Sequence, residues 1–329
     1  MRAAALLLTW AVLARPPAAE LTRFEFQQPH MGTTVRVVLY AGDAAAAEAL
    51  AASAFSRIAA LEERLSDYRE SSELMAVCRA AGGPPVAVSE DLFSVLAAAQ
   101  SFSSRTHGAF DVTIGPVSRV WRRVRATGER PEASSLAEAQ RLVGNRNMHL
   151  SPDGRTVRLA QRGMLLDLGG IAKGFAADEA LAVLAGRGAR RAIVAIGGDV
   201  AAGDPPPGTV GWEIEVAPLG PGRSGALPSL RLRRAAISTS GDAEQYLDAA
   251  GQHFSHIVDP ITGSAATGAR GVTVIAPNGM TADALATAVK VLGADRGLPV
   301  VDGFEGAAAV VVEDTPEGAR VYKSKRWPN

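Results

Sequence analysis

Apolar and polar residues alternate in two different ways along this chain, and each way predicts a different kind of element. Residues 33–40 alternate one by one, which is typical of a half-buried strand, whereas residues 44–65 place apolar side chains at helical spacing. Further helices are predicted at 89–102, 117–124, 171–187 and 282–292, and at 134–143 with Ser134 or Ser135 as the cap. Short apolar segments predict strands at 156–159, 164–166, 192–196, 212–216, 230–232, 272–275 and 308–312.

The order of these elements indicates the fold class. Strands and helices are interleaved, but in the second half of the chain the strands follow one another at the spacing of hairpins. This order predicts an α+β fold in which mixed, largely antiparallel sheets are flanked by helices. Two segments rich in proline and glycine, 203–208 and 218–228, have the composition of surface loops rather than of linkers between domains.

The N-terminal residues have the layout of a secretory signal. Arg2 precedes an apolar run at 3–14, which small residues and prolines follow, and this run is too short to span a bilayer as a stable helix. We therefore predict a signal peptide at 1–19, with cleavage after Ala14 or Ala19, and an exported protein; the alternative is an alanine-rich tail. No cysteine follows the run, so the sequence does not predict a lipoprotein.

Composition limits the classes of partner. The 34 basic residues balance the 34 acidic ones, so no overall field favours nucleic acid or an anionic membrane. Aromatic residues make up only 5% of the chain, which argues against a stacking surface for single-stranded nucleic acid. We expect no nucleic-acid partner, and any affinity for a phosphate-bearing ligand must be local. Cys78 is the single cysteine, so no internal disulfide forms.

The segment DLGGIAKGFAADEAL, at 167–181, joins a predicted strand to a predicted helix through two glycines. A turn of this kind exposes backbone N–H groups at a helix N terminus, where phosphate binds readily, and Lys173 would add charge there. Neither a Walker A motif nor a G-x-G-x-x-G fingerprint occurs in it. The segment therefore predicts either half of an anion site or a plain turn in which Asp167 caps the helix and Lys173 is solvated.

The segment MTADALATAVKVLG, at 280–293, predicts a helix that Thr281 caps. Asp283 and Thr287 are four residues apart, so their side chains lie on one face of that helix, one turn from each other. A carboxylate, a hydroxyl and nearby carbonyl oxygens are ligands that Mg²⁺ accepts. The alternative is that Asp283 only complements the helix dipole and Thr287 is a surface residue.

The segment HFSHIVDPITGSAATG, at 253–268, contains an H-x-x-H pair within a predicted strand. Positions three apart on a strand point to opposite faces, so His253 and His256 are unsuited to hold a zinc ion together. A single histidine beside a turn is better placed as a general base or an anion contact, and His256 is the candidate. A structural histidine is the alternative, and Asp259 to Gly263 has the composition of a turn.

Taken together and in this order, these and four shorter stretches resemble the ApbE family of FAD:protein FMN transferases. The matching motifs are Met31-Gly32-Thr33, Asp67-Tyr68-Arg69, Gly108-Ala109-Phe110-Asp111 with Gly115-Pro116 and Trp121, Asp167 to Gly174, Ser240-Gly241-Asp242, His256 to Pro260 with Thr262-Gly263, and Ala282 to Thr287. The resemblance covers residues from 24 to the C terminus and implies a single ApbE-like domain at 24–329.

The resemblance implies a role for each matching position. FAD would be surrounded by eight residues, namely Met31, Tyr68, Ala109, Phe110, Asp111, Asp167, Lys173 and Ile257. Magnesium would bind Asp283 and Thr287 with backbone oxygens of Gly170 and Ala286. The catalytic residues would be His256, which handles the proton, and Asp283, which holds the metal.

The activity that the resemblance implies is transfer of FMN from FAD to a threonine hydroxyl of an acceptor protein, with release of AMP. Acceptors in this family are typically subunits of membrane redox complexes, which agrees with an enzyme in the periplasm or at the outer face of the cytoplasmic membrane. Two alternatives are an exported, magnesium-dependent FAD pyrophosphatase and a flavin-binding protein without catalysis. This chain has Cys78 where many relatives have asparagine, so the local packing there is expected to differ.

Overall fold

The computed structural model describes residues 21–129, 131–216, 229–241, 246–249, 252–267, 270–315 and 318–328, with backbone only at 246–249, 252–256, 267 and 314–315. The predicted signal peptide at 1–19 lies outside this part of the chain. The predicted surface loop at 218–228 also lies outside it.

Most of the predicted helices and strands form, but the elements at 22–30, 73–79, 199–202, 235–240 and 318–323 were not predicted. The helices are α1 (Ala44–Leu65), α2 (Glu73–Arg79), α3 (Glu90–Arg105), α4 (Gly115–Thr127), α5 (Ala133–Arg141), α6 (Ala172–Gly186) and α7 (Gly279–Asp302). The first strands are β1 (Thr22–His30), β2 (Thr33–Ala41), β3 (Val86–Ala87), β4 (Met148–Ser151), β5 (Thr156–Leu159), β6 (Ala192–Ile196), β7 (Asp199–Ala202) and β8 (Trp212–Ile214). The later strands are β9 (Leu230–Leu232), β10 (Ala235–Ser240), β11 (Tyr246–Ala249), β12 (Gln252–Val258), β13 (Ala265–Thr267), β14 (Arg270–Ala276), β15 (Ala308–Thr315) and β16 (Gly318–Lys323).

One large antiparallel sheet organises the molecule. Its eight strands lie in the order β1-β2-β6-β7-β10-β14-β15-β16, and smaller sheets are formed by β11-β12-β13, β3-β5-β4 and β8-β9. Every strand pair of the described residues is antiparallel. The predicted α+β class with largely antiparallel sheets is therefore confirmed.

Three helices cover one face of the large sheet. Helix α1 packs on α6 and on β1 and β2, α6 packs on β6 and β7, and α7 packs on β10, β14 and β15. Strand β2 illustrates how the sequence directs this packing. Val35, Val37 and Leu39 occupy alternate positions, so their side chains lie on one face of the sheet and are all buried beneath these helices. By length and composition alone α1 could cross a membrane, but it too contributes buried side chains to this core.

The opposite face of the sheet is covered by the β8–β9 hairpin. Trp212 and Leu232 from that hairpin pack against Val38 and Ile237 of the sheet. Strand β2 thus buries side chains on both of its faces, which explains the continuous apolar run at its C-terminal end.

Some local predictions were wrong. Met164 and Leu166 are buried, but residues 164–166 join no sheet, because other groups accept hydrogen bonds from the backbone here. The Leu166 amide donates to Cys78 Sγ at 3.3 Å, and the amide of the next residue donates to the Val112 carbonyl. The cap of α7 is Asn278, whose side chain accepts from the Thr281 amide at 2.8 Å, so Thr281 is not the cap. Helix α5 begins after Glu132 and lacks the predicted serine cap.

Candidate functional site

A cavity of about 950 Å³ opens beside the N-terminal ends of α6 and α7. This volume lies at the upper end of the range for small-molecule sites. Residues that are far apart in sequence meet there, from the β1–β2 turn to the first turns of α7. The predicted site residues that line it are Met31, Tyr68, Ala109, Phe110, Asp111, Asp167, Gly170, Lys173, Ile257, Asp283 and Thr287.

Two predicted site residues contribute no described side chain to the cavity. His256 belongs to β12, but its side chain lies outside the part of the chain that the structure describes, so its catalytic role stays a prediction. Ala286 is fully buried on α7 and does not line the cavity. Only its backbone oxygen was predicted as a ligand, and that assignment also stays a prediction.

The floor of the cavity is the crossing of α6 and α7, where the two backbones touch. A side chain at Gly174 would overlap the Gly279 carbonyl, and one at Gly279 would lie 2.5 Å from the Gly174 oxygen, so both positions require glycine. Asp178 of α6 accepts hydrogen bonds from the amides of Gly279 at 2.7 Å and Met280 at 2.9 Å. The Gly174 amide in turn donates to Asp283 Oδ2 at 3.1 Å, which fixes the first turn of α6 against α7.

The predicted metal ligands meet at this crossing. A Cβ placed on Gly170 would lie 2.7 Å from Thr287 Oγ1, so the glycine backbone rests directly on that hydroxyl. Asp283 lies one helical turn earlier on α7 and is buried. Carboxylate, hydroxyl and carbonyl oxygens form a donor set that suits Mg²⁺ and does not suit a soft metal. Among the described residues, no three His, Cys, Asp or Glu side chains group closely enough to hold a metal by themselves.

Asp283 lies in an environment that disfavours its charge. Burial is the largest cause, repulsion from Asp199 adds to it, and together they raise the pKa of Asp283 to about 7 although Lys173 opposes them. A cation bound here would favour the ionised carboxylate. The electrostatics of the floor therefore fit a bound divalent cation.

Lys173 is held by a second carboxylate of the floor. Its ammonium contacts Asp199, whose other oxygen accepts a hydrogen bond from Ser238 Oγ at 2.6 Å. Burial alone would lower the pKa of Lys173, but the charges of Asp199 and Asp283 outweigh it and raise the pKa, so the side chain is cationic. The prediction that Lys173 contacts a bound ligand remains a prediction.

The mouth of the cavity is formed by a cluster around Arg122 of α4. The guanidinium lies between two carboxylates, with Nη1 2.6 Å from Asp67 Oδ2 and Nη2 2.9 Å from Asp167 Oδ2, and it lies 4.2 Å from the centre of the Tyr68 ring. Burial and the charge of Asp167 raise the pKa of Asp67 to about 6, against the effect of Arg122. Tyr68 lines the cavity but is 74% exposed, so most of this residue faces solvent.

Asp111 lines the cavity, but its carboxylate holds the protein's own backbone. Oδ1 accepts from the amide and hydroxyl of Thr113 at 2.9 and 2.7 Å, and Oδ2 accepts from the Asn145 amide at 2.9 Å. These bonds cap the short 3₁₀ helix Val112–Ile114 and join it to the segment that follows α5. The structure therefore gives this carboxylate a structural task in addition to its predicted place beside FAD.

Met31 is held in an unusual backbone conformation. It forms the β1–β2 turn with Gly32, and both residues have positive φ angles, 52° and 72°. Such a two-residue turn matches the twist of the strands that it joins, but a side chain larger than that of glycine or asparagine is uncommon there. The turn places Met31 at the cavity wall.

The Asp-Pro turn after β12 forms as predicted. The Asp259 carboxylate accepts from the Ile261 amide at 2.8 Å and from the Thr262 hydroxyl at 3.0 Å. The Gly263 carbonyl accepts from the indole of Trp121 at 2.8 Å, which attaches this turn to α4.

Sequence reasoning assigned no role to three residues that shape the site. Asp199 comes after a predicted strand and two glycines, a pattern that is typical of a turn beside a ligand. This pattern could have marked Asp199 as a site residue. Asp67 belonged to a motif of the resemblance but was given no task. Arg122 is one of several arginines in α4, and nothing in the sequence distinguishes it from the others.

Comparisons with known proteins agree with this architecture. The ApbE family model matches residues 31–311. The FAD:protein FMN transferase of Treponema pallidum (strain Nichols) is 33% identical over 298 residues, which cover 86% of this chain and 82% of the relative.

Solved structures show the same fold. The flavin transferase ApbE from Vibrio cholerae superposes with a TM-score of 0.83 at 27% identity, covering 93% of this chain and 98% of its own. The flavinyl transferase ApbE from Pseudomonas stutzeri, in its apo form, superposes with a TM-score of 0.82 at 29% identity, covering 93% and 95%. Because the family model spans most of the chain and the fold is shared, this chain belongs to the ApbE family and is a flavinyltransferase.

Proposed function

We propose that this protein is a magnesium-dependent FAD:protein FMN transferase, which moves FMN from FAD to a threonine hydroxyl of an acceptor protein and releases AMP. The observation that carries the proposal is the crossing of α6 and α7, where Gly170 rests on Thr287 and the Gly174 amide binds Asp283. This crossing brings hard oxygen donors to the floor of a cavity large enough for a dinucleotide.

The charge of the cavity supports a divalent cation. Its described lining contains more carboxylates than cationic side chains: Glu62, Asp67, Asp111, Asp167, Asp199, Glu215 and Asp283, against Arg69, Arg122, Arg125 and Lys173. Such a lining repels the two negative charges of a pyrophosphate. Bound Mg²⁺, held by Asp283 and Thr287 with the Gly170 carbonyl, would neutralise phosphate charge and assist departure of AMP.

The protein's own residues then supply binding and proton transfer. Phe110 and Ile257 offer buried apolar surface to the flavin, and the exposed Tyr68 offers an aromatic ring at the mouth. The threonine oxygen forms a bond to the phosphorus on the FMN side, the bridging P–O bond breaks, and AMP leaves with the bridging oxygen. His256 is the candidate that takes the proton of the hydroxyl.

We further propose that the protein acts after export, in the periplasm or at the outer face of the cytoplasmic membrane. The pattern of Arg2 and the apolar run at 3–14 supports a signal peptide. A subunit of a membrane redox complex is the acceptor class that we propose, because the family resemblance implies it and an exported enzyme would meet such a complex.

One incubation distinguishes this function from its two alternatives. The protein is mixed with FAD, Mg²⁺ and threonine-containing peptides, and AMP, free FMN and peptide-bound flavin are measured by mass spectrometry. We expect AMP together with flavin covalently bound to peptide, and we expect neither product to form when EDTA is added. AMP with free FMN would instead show a pyrophosphatase, and neither product would show a flavin-binding protein.

Asp283→Asn is the matched test of the metal ligand. Asparagine keeps an oxygen for the Gly174 amide but removes the charge, so we expect transfer to fall by about a hundredfold or more. Asp295→Asn, which changes an exposed carboxylate of the same helix, is the control and should retain full activity. Wild-type transfer by Asp283→Asn at the same Mg²⁺ concentration would remove this residue from the site.

A further inference from the structure

Helix α4 carries a concentration of positive charge at the mouth of the cavity. Its residues, 115–127, include four arginines and no acidic residue. Ser118, Arg122 and Arg125 line the cavity, whereas Arg119 and Arg123 are exposed beside them. The positive charge therefore runs from the surface of the protein into the mouth.

Most of this charge is not used within the protein. Arg122 binds Asp67 and Asp167. In the part of the chain that the structure describes, Arg119, Arg123 and Arg125 form no ion pair. A group of unpaired, neighbouring cations on one helix raises the local potential and attracts an anionic partner.

We propose that this arginine face of α4, formed by Arg119, Arg122, Arg123 and Arg125, binds an acidic segment of the acceptor protein. In the acceptor, this acidic segment is separate in sequence from the residues around the threonine, which enter the cavity. The inference rests on the proposed function, because the acceptor protein must bring its threonine to this mouth. Charge complementarity then aligns the acceptor before its hydroxyl reaches the bound flavin.

A membrane surface fits the same face less well. Helices that lie on membranes insert an apolar face between the lipids. The apolar face of α4 is already buried, since Val117, Trp121 and Val124 pack with Ala139 and Ala265. A flat bilayer on the arginines would also cover the mouth that the acceptor must enter.

The test uses two libraries of peptides that share the same randomised residues around one threonine. They differ only in a tail, which carries aspartates in one library and asparagines in the other. Each library is incubated with the protein, FAD and Mg²⁺, and flavin on peptide is measured at low and at physiological salt. We expect the aspartate library to react with a KM lower by about fivefold to tenfold, and the difference to shrink as salt rises.

Charge reversal on the enzyme assigns this preference to α4. The double variant Arg119→Glu and Arg123→Glu changes exposed residues that do not line the cavity, so the KM for FAD and the kcat should stay unchanged. Its preference for the aspartate library should disappear. The control is Arg187→Glu with Arg296→Glu, two exposed arginines outside the cavity, which should keep the preference.

The possible failures are distinguishable. Flavin on neither library contradicts the proposed function and this inference with it. Equal reaction of both libraries at low salt, or an unchanged preference in the Arg119→Glu and Arg123→Glu variant, contradicts the inference alone. A different result is that the wild-type protein sediments with vesicles of anionic phospholipid, and that the Arg119→Glu and Arg123→Glu variant loses this binding without a change in peptide KM. That result would assign the face to a membrane.

Discussion

Asp283 is a buried carboxylate that interacts with a second one, Asp199, and this determines how proton and metal compete for it. Its pKa is raised to about 7, so in the absence of metal the folded state holds a proton there at pH values where an exposed aspartate is ionised. A cation must displace this proton. Binding of metal to the site is therefore coupled to pH near neutrality.

The affinity for Mg²⁺ should depend steeply on pH below about 7. In the presence of FAD, we expect the apparent Kd for Mg²⁺ to rise by about tenfold for each pH unit below that value and to level off above it. Titrations of Mg²⁺ at pH 5.5, 6.5, 7.5 and 8.5, followed by calorimetry, measure this. A Kd that is constant over the whole range would show that no proton is displaced from Asp283.

Arg122 is the residue whose loss should most affect the mouth. Arg122→Met leaves Asp67 and Asp167, whose side chains are each only 13% exposed, without their common cation. We expect a loss of about 2 kcal/mol in the free energy of unfolding at pH 8. Arg123→Met, on the exposed side of the same helix, is the control and should change stability little.

The same variant has a defined pH dependence. Without the guanidinium the pKa of Asp67, already about 6, rises further, so the folded state gains stability when this group is protonated. The deficit of Arg122→Met should be largest above the raised pKa of Asp67 in the variant and should shrink as pH falls from there to about 6. Thermal unfolding at pH 5 and pH 8 measures it, and a deficit that grows towards acid would contradict the assignment.

At the level of elements, the contact between α6 and α7 determines the geometry of the floor. Gly174→Ala would place a methyl group against the Gly279 carbonyl and 2.9 Å from Cβ of Asp283. The helices must then separate, which we expect to cost about 2 kcal/mol or more in unfolding free energy and to weaken Mg²⁺ binding as Asp283 moves away from Gly170.

Gly186→Ala is the matched control for that substitution. Gly186 ends the same helix, and a Cβ there would meet nothing within 4 Å. Alanine should be neutral or stabilising by about 0.5 kcal/mol, since it favours the helical state. Both variants are compared by chemical denaturation and Mg²⁺ titration; equal behaviour of the two would show that close approach of α6 and α7 is not required.

Elements could be predicted from sequence where the hydrophobic period was long and uninterrupted. Helix α1 begins and ends as predicted, at Ala44 and Leu65, because its apolar residues keep one spacing over 22 residues. The segment at 164–166 was misassigned because a buried apolar run looks the same whether its amides pair with a strand or with Cys78 and other neighbours. Hydrogen-bond partners of this kind depend on tertiary contacts.

The candidate site could be predicted only in part, for the same reason. The glycines of 169–174 and the pair Asp283 and Thr287 had recognisable local patterns, and the structure brings the two segments together. Arg122 and Asp199 acquire their importance only from the residues that they meet in space. No local pattern marks such a residue.

For the whole molecule, the cavity joins residues from the first strand hairpin to the last long helix, so its occupation should stabilise the entire fold. FAD with Mg²⁺ at a hundred times the Kd should add about 2.7 kcal/mol to the free energy of unfolding. FAD without Mg²⁺ should add much less, because the acidic lining then repels the pyrophosphate. Melting temperatures with each ligand alone and with both check this, and equal shifts for FAD with and without Mg²⁺ would contradict it.

The most direct measurement is the position of the metal. Crystals grown with FAD and Mn²⁺, used in place of Mg²⁺ for its anomalous scattering, locate the ion without reference to activity. We predict an anomalous peak in contact with Asp283 and Thr287, beside Gly170 and the pyrophosphate. A peak elsewhere in the cavity, or bound FAD with no metal at the crossing of α6 and α7, would contradict the account.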